Sequence, residues 1–189
     1  GDYINILIGI VTGANPFFVI TELDRQRLDL STTDVMPIFS RFKAATGIEF
    51  TLQDHEKYLE SNGRGHLVQS LQMPSEKTPL YNYLQSFPKD QIKSIKTFKG
   101  RQVWHAPDDG KIPDVFLSVM NHDGPRIVLN DARINCTNTI HRGFFKKDLT
   151  ISEKKLICIS MLTSFSQLSA EFVGRRYGSG VLKHEPSEM

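Results

Sequence analysis

The stretch GIVTGANPFFVI, Gly9 to Ile20, lies between two apolar runs, and its reading sets the fold. Before it, YINILIGI (Tyr3 to Ile10) is rich in β-branched residues. After Thr12-Gly13-Ala14-Asn15 comes FFVITEL, Phe17 to Leu23. Glycine and asparagine tolerate positive φ, so these four residues predict a turn between two strands. Outward from there, residues 31–47 (STTDVMPIFSRFKAATG) open on three N-cap candidates and end on glycine, which predicts a short helix with Pro37 in its first turn. Residues 51–63 repeat that pattern, with Thr51 as cap and Asp54 in the first turn. A proline-rich stretch, 73–90, carries one short helix around Tyr81 to Gln85. RQVWHA (101–106), DVFLSVM (114–120), PRIVLN (125–130) and TNTIHRGFF (137–145) read as strands separated by turn-former clusters. Residues 151–174 predict one long helix capped by Ser152, with Leu156, Ile159, Leu162, Phe165 and Leu168 as its apolar stripe and Gly174 as its stop. The tail, 175–189, reads as loop and then strand. The expected class is α+β, a mixed, largely antiparallel sheet with a few flanking helices.

The bulk numbers are those of an ordinary globular chain: 189 residues, 39% apolar and 23% charged, enough for one well-buried domain. No apolar run reaches the roughly 18–20 residues of a membrane helix, so no membrane partner is expected. Two cysteines, Cys136 and Cys158, make no disulfide framework and favour a reducing, cytoplasmic setting. The net charge of +2 is too small to announce a nucleic-acid partner, but its distribution is uneven. Between Lys89 and His105 stand Lys89, Lys93, Lys96, Lys99 and Arg101 against Asp90 alone. Such a stripe attracts phosphate, and equally serves as a solvated face.

Catalytic readings fail on spacing. Asn15-Pro16-Phe17-Phe18 is one letter from the Asn-Pro-Pro-aromatic tetrapeptide that grips an exocyclic amino group during methyl transfer. That chemistry also needs a glycine-rich donor loop with an acidic residue beyond it, and none follows Asn15. Asp108, Asp109 and Lys111 imitate a nuclease triad, but they are fused in one turn and cannot converge on an ion from separate strands. Cys136, His105, His122 and His141 lack paired metal-ligand spacing, so no metal is expected.

Three segments together resemble one family. GIVTGANPFFVI, PRIVLNDARINCTNTIHRGFF (Pro125 to Phe145) and LSAEFVGRRYGSGVLKHEPSE (Leu168 to Glu188) are similar, in that order, to the target-recognition half of N6-adenine DNA methyltransferases of restriction–modification systems. Arg101 and Trp104 fit the same pattern. The resemblance implies that residues 1–189 form a DNA target-recognition region, with a helical insertion or sub-lobe at about 30–86. It also implies that a catalytic domain lies N-terminal to it, consistent with a chain opening on Gly1. The implied partners are double-stranded DNA, that methyltransferase domain and a restriction endonuclease. S-adenosylmethionine is expected for the parent enzyme and no cofactor in the chain itself.

Site residues follow from the resemblance and from side-chain chemistry. Arg101, Arg126, Arg142, Arg175 and Arg176 suit phosphate contacts or bidentate guanine reading. Thr137, Asn138, Thr139 and His141 offer short polar groups to phosphate or base edges. Thr12, Gly13, Ala14 and Asn15 let backbone N–H groups approach DNA or the catalytic domain, as do Gly178 and Gly180 beside Tyr177. Each has a plainer role open to it: Arg126 pairing with Asp123 or Asp131, Thr137 and Thr139 as strand residues, Trp104 as core. The competing reading of the chain is a non-catalytic protein-interaction domain with a basic surface.

Overall fold

A computed structural model of the chain describes residues 3–176 and 178–188. In chain order the elements are β1 (Ile4–Ile8), α1 (Asn15–Phe18), β2 (Val19–Ile20), α2 (Glu22–Arg27), β3 (Val35–Phe39), β4 (Glu49–Phe50), α3 (Leu52–Glu60) and β5 (His66–Val68). They continue with α4 (Pro79–Gln85), α5 (Lys89–Ser94), α6 (Lys96–Lys99), β6 (Val115–Ser118), β7 (Met120–Asn121), β8 (Ile127–Asn130), β9 (Asn135–Cys136) and β10 (Ile140–Phe145). The chain closes with α7 (Ile151–Ser160), α8 (Ser164–Val173), β11 (Arg175–Arg176) and β12 (Leu182–Lys183).

Two sheets form the body. One runs β1-β10-β6-β8-β4 and the other β2-β5-β3-β9, while β11-β12-β7 make a small third sheet. Pairing is antiparallel except at β4–β8 and β3–β9. The α+β, largely antiparallel expectation therefore holds. The sheets face each other across a core of Phe39, Phe50, Phe116, Val128, Cys136 and Ile140, in which the Phe39 and Phe50 rings stack at 4.1 Å. Burying such side chains stabilises by about 1.5–3 kcal/mol each. On the far face of the first sheet, Cys158 of α7 packs among Val115, Leu117 and Leu129, with Ile4, Ile6 and Phe145 beside them. On the far face of the second, Phe18, Val19, Ile38 and Leu67 meet Phe87 and Phe98.

Several local expectations change. FFVITEL is not one strand: Pro16 starts a single helical turn, only Val19 and Ile20 are extended, and Thr21 then caps α2. The Thr21–Asp24 pair is a capping box, a signal present in the sequence as Thr-x-x-Asp. The helix expected over 31–47 is instead β3 and a 3₁₀ turn at Phe42–Ala44. Val35, Ile38 and Phe39 fit either period, and neighbours on both sides, β5 and β9, decide for the strand. RQVWHA is a turn, because the Arg101 guanidinium folds back onto the Trp104 carbonyl at 3.0 Å. The helix expected over 151–174 breaks into α7 and α8, bent by 63° and capped by Thr150 and Thr163 rather than Ser152. No single helix among the described residues is long and apolar enough to cross a membrane. The helix of 51–63, the short helix at 79–85 and the strands at β6, β8 and β10 stand where expected.

Buried imidazoles make the fold acid-sensitive. Burial pushes His55, His66, His105 and His141 below their ordinary range, and in His55 the carbonyl of Gly65 at 3.0 Å only partly offsets it. With the folded value lowered, the unfolded chain binds more protons between the two values, so stability rises with pH there. It is complete above about 6.5 and is lost as pH falls through the folded values. Glu22, held at about 2 chiefly by its hydrogen bond from Arg25, adds a second loss at lower pH. Thermal unfolding from pH 7.5 to 5 is expected to show a falling midpoint below pH 6.5; a flat profile contradicts the burial of these rings.

Candidate nucleic-acid interface

The opening stretch threads between both sheets. Gly9 donates to the Ile140 carbonyl at 3.0 Å, and Ile10 to Cys136 at 2.8 Å. A Cβ on Gly9 would stand 2.1 Å from the Thr137 carbonyl oxygen, so only glycine permits this approach. The chain then turns outward at Gly13, whose φ of +84° also demands glycine. Buried Thr12 donates its hydroxyl hydrogen bond to Asn15 Oδ1, and the Asn15 amide donates to Asn138 Oδ1 at 3.0 Å. The loop at 12–15 and the turn at 137–139, far apart in sequence, thus share one polar network. An open depression of about 320 Å³ lies over it, lined by Val11 to Pro16 and Asn138.

The basic stripe joins the same place. Gly13 packs on Phe98 and Ile95, where an added Cβ would come within 2.8 Å of the Phe98 ring. Arg101 also donates to the Val11 carbonyl. Trp104 does not present its ring for stacking on a base; it sits among Phe17, Phe18, Phe87 and Phe98 at 5.3–6.3 Å. Lys89, Lys93, Lys96 and Lys99 on α5 and α6 remain exposed, and no ion pair among the described residues engages them. A cationic ridge is therefore fixed beside the depression.

The turn at 137–139 carries a second neighbour that the sequence did not reveal. Thr139, exposed, shares a 2.8 Å hydrogen bond with buried Thr137 and also donates to the Ser40 carbonyl. Ser40 in turn donates to the Arg64 carbonyl at 2.6 Å. Exposed Arg41 and Arg64 thereby stand next to the turn, lining one cleft with Ser40 and Tyr58. Reading 31–47 as a helix hid this adjacency, since it depends on β3 pairing with β9.

The other named residues are dispersed. Arg142 is buried and clamps Asp109 with both Nη atoms, at 2.7 and 2.9 Å, while its Nε donates to the Ile8 carbonyl. Burial opposes the charge of Asp109, but the Arg142 guanidinium together with the Lys111 backbone N–H and charge outweighs it and holds the carboxyl below its usual range. The PDDGK turn is thus a docking point for an internal arginine. His141 is buried and donates from Nε2 to the His184 carbonyl at 2.8 Å, with Nδ1 unpartnered. Arg126 donates to the Gly47 carbonyl at 2.6 Å and lies over the Phe42 ring. Arg175 and Arg176 are exposed on β11, in the small third sheet, with Gly178 and Gly180 in the following 3₁₀ turn. Tyr177 lies outside the described residues. Among the described residues no group of three His, Cys, Asp or Glu side chains converges as metal ligands.

Comparison with known proteins covers the whole of this architecture. The family described as Type II methyltransferase M.Eco57I, C-terminal domain, matches residues 1–189. The chain belongs to that family. A curated relative, the Type II methyltransferase M.AccI of Acinetobacter calcoaceticus, is 24% identical over 188 residues, 99% of the chain. The chain spans about a third (34%) of that relative's length. The M.Eco57I C-terminal family is thus the C-terminal part of restriction–modification methyltransferases, and the resemblance read from the three motifs holds.

Proposed function

We propose that this M.Eco57I-type C-terminal domain binds duplex DNA and selects the target sequence for a DNA adenine-N6 methyltransferase of a type II restriction–modification system. S-adenosylmethionine and the transferred methyl group belong to a catalytic domain N-terminal to it in the same polypeptide. A restriction endonuclease, fused or separate, shares the target site in the bacterial cytoplasm. One observation carries the reading: the loop at 12–15, the turn at 137–139 and the lysine ridge at 89–99 are drawn into one surface by the Asn15–Asn138 hydrogen bond and the packing of Gly13 on Phe98. The depression presents the half-exposed Asn15 and Asn138 side chains to base edges, and flanking cations hold phosphates. Arg41 and Arg64 extend the cationic border on the other side of the turn. Within residues 30–86, β3 pairs with β5 on one side and β9 on the other, which supports reading the segment as part of the same unit.

Duplex binding measured over a salt series tests the reading. Each neutralised phosphate contributes a log–log slope of about −0.9, so several ridge contacts predict a steep fall in affinity with salt. Binding that ignores salt, or no preference for duplex over a neutral polymer, contradicts it. Asn138→Ala gives a finer prediction. It loses one half-exposed hydrogen bond, worth about 1 kcal/mol of stability. Affinity for the target duplex is expected to drop roughly 10- to 100-fold with non-target affinity unchanged. Equal losses on both duplexes would assign Asn138 to phosphate rather than to bases.

A further inference from the structure

The α7–α8 pair has an outer face that no element among the described residues covers. From Leu156 to Ala170 the sequence LICISMLTSFSQLSA holds no charged residue. Leu156, Ile159, Leu162, Phe165, Leu168 and Phe172 are all exposed, with Phe165 at 81% and Phe172 at 83%. The inner face is fixed. Cys158 is buried against the first sheet, Gln167 donates to the Pro125 carbonyl at 2.9 Å, and His184 donates to the Ala170 carbonyl at 2.9 Å. The phenylalanines therefore cannot rotate inward without breaking those contacts. Beside them runs an open groove of about 320 Å³ lined by Met161, Phe165, Val173 and His184.

A contiguous apolar face of this kind marks a protein contact. It is the wrong surface for DNA, which demands cations. The candidate nucleic-acid surface, with its lysines, is built from other elements. Resting on the function proposed above, we infer that the outer face of α7 and α8 is the seat of the catalytic part of the same polypeptide. Two observations choose that occupant. The curated relative is a methyltransferase of which this domain matches only 34%, so most of that polypeptide lies outside the matched part. The entry strand also lies close by: Ile4 and Ile6 of β1 join the cluster that Cys158 of α7 covers. A domain joined to β1 therefore starts at the edge of the sheet whose far face α7 covers, at high effective concentration for the α7–α8 pair. Phe165 and Phe172 are the anchors, rigid aromatic groups of the type that dominates interface energies.

The test uses the full-length methyltransferase polypeptide with p-benzoylphenylalanine in place of Phe165, and separately of Phe172. Each position is more than 80% exposed, so neither replacement disturbs packing within the domain. Irradiation followed by peptide mass spectrometry is expected to give intramolecular cross-links to the catalytic part at both positions. Phe165→Glu with Phe172→Glu is expected to split one calorimetric transition of the full polypeptide into two. Cross-links between two copies, cross-links absent from both positions, or an unsplit transition would overturn the assignment. Duplex binding of the same preparations is read separately. If they fail to bind duplex yet cross-link as stated, the DNA-binding reading fails while the seat stands.

Discussion

Exchanging Lys93, Lys96 and Lys99 for glutamine is expected to lower the log–log salt slope of duplex binding by about 3 units and its affinity near 0.1 M salt by roughly a hundred- to a thousandfold. All three side chains are exposed on α5 and α6. Surface substitutions of this kind change stability by about 0.5 kcal/mol or less. Glutamine keeps helix propensity close to that of lysine, and only the weak favourable placement of Lys93 near the end of α5 and of Lys96 and Lys99 near the end of α6 is lost. The ridge stays in place because its attachment is apolar, through Ile95 and Phe98 beneath Gly13. A variant that folds with an unchanged midpoint and an unchanged slope would move the phosphate path elsewhere, with Arg41 and Arg64 the next cations along the surface.

Arg142→Ala is expected to act on the fold. The guanidinium is buried, and it satisfies Asp109 with two hydrogen bonds and the Ile8 carbonyl with a third. Breaking a fully buried pair costs about 3–5 kcal/mol. Here the Asp109 side chain is 41% exposed and can take water once unpaired, which lowers the cost to about 2–3 kcal/mol. For a chain of this size that corresponds to a melting midpoint lower by roughly 5–10 °C. Arg142→Lys keeps the charge but not the fork, so it is expected to fall between. Measured well below its midpoint, the alanine variant is expected to keep the salt slope of the parent. An unchanged midpoint with a slope reduced by about 1 would instead make Arg142 a phosphate contact.

These two arginine and lysine predictions mark where the sequence was legible. Residue type and spacing revealed the lysine ridge, the Thr51 cap, the strands at 115–118, 127–130 and 140–145, and the Gly13 turn. Those features are local: a cap needs its partner three residues on, and a buried strand declares itself by an unbroken apolar run. What stayed hidden depends on partners far along the chain. Val35 to Phe39 carries helix-like caps and becomes a strand only between β5 and β9. Arg142 and Arg101 are the same letter as the exposed Arg176, yet one binds Asp109 and the other the Val11 and Trp104 carbonyls. The apolar stripe of 156–168 was legible as a stripe, but its spacing cannot say whether it faces the domain's own core or a partner.

The central claim is that these 189 residues choose the sequence while the rest of the polypeptide transfers the methyl group. Exchanging residues 1–189, within the full-length enzyme, for the matching region of another family member tests it most directly, with methylated positions then mapped by sequencing DNA from cells expressing each chimera. The account predicts that the methylated sequence changes to that of the donor of the exchanged region, with adenine still the modified base. A chimera that remains active and methylates the original sequence would contradict it.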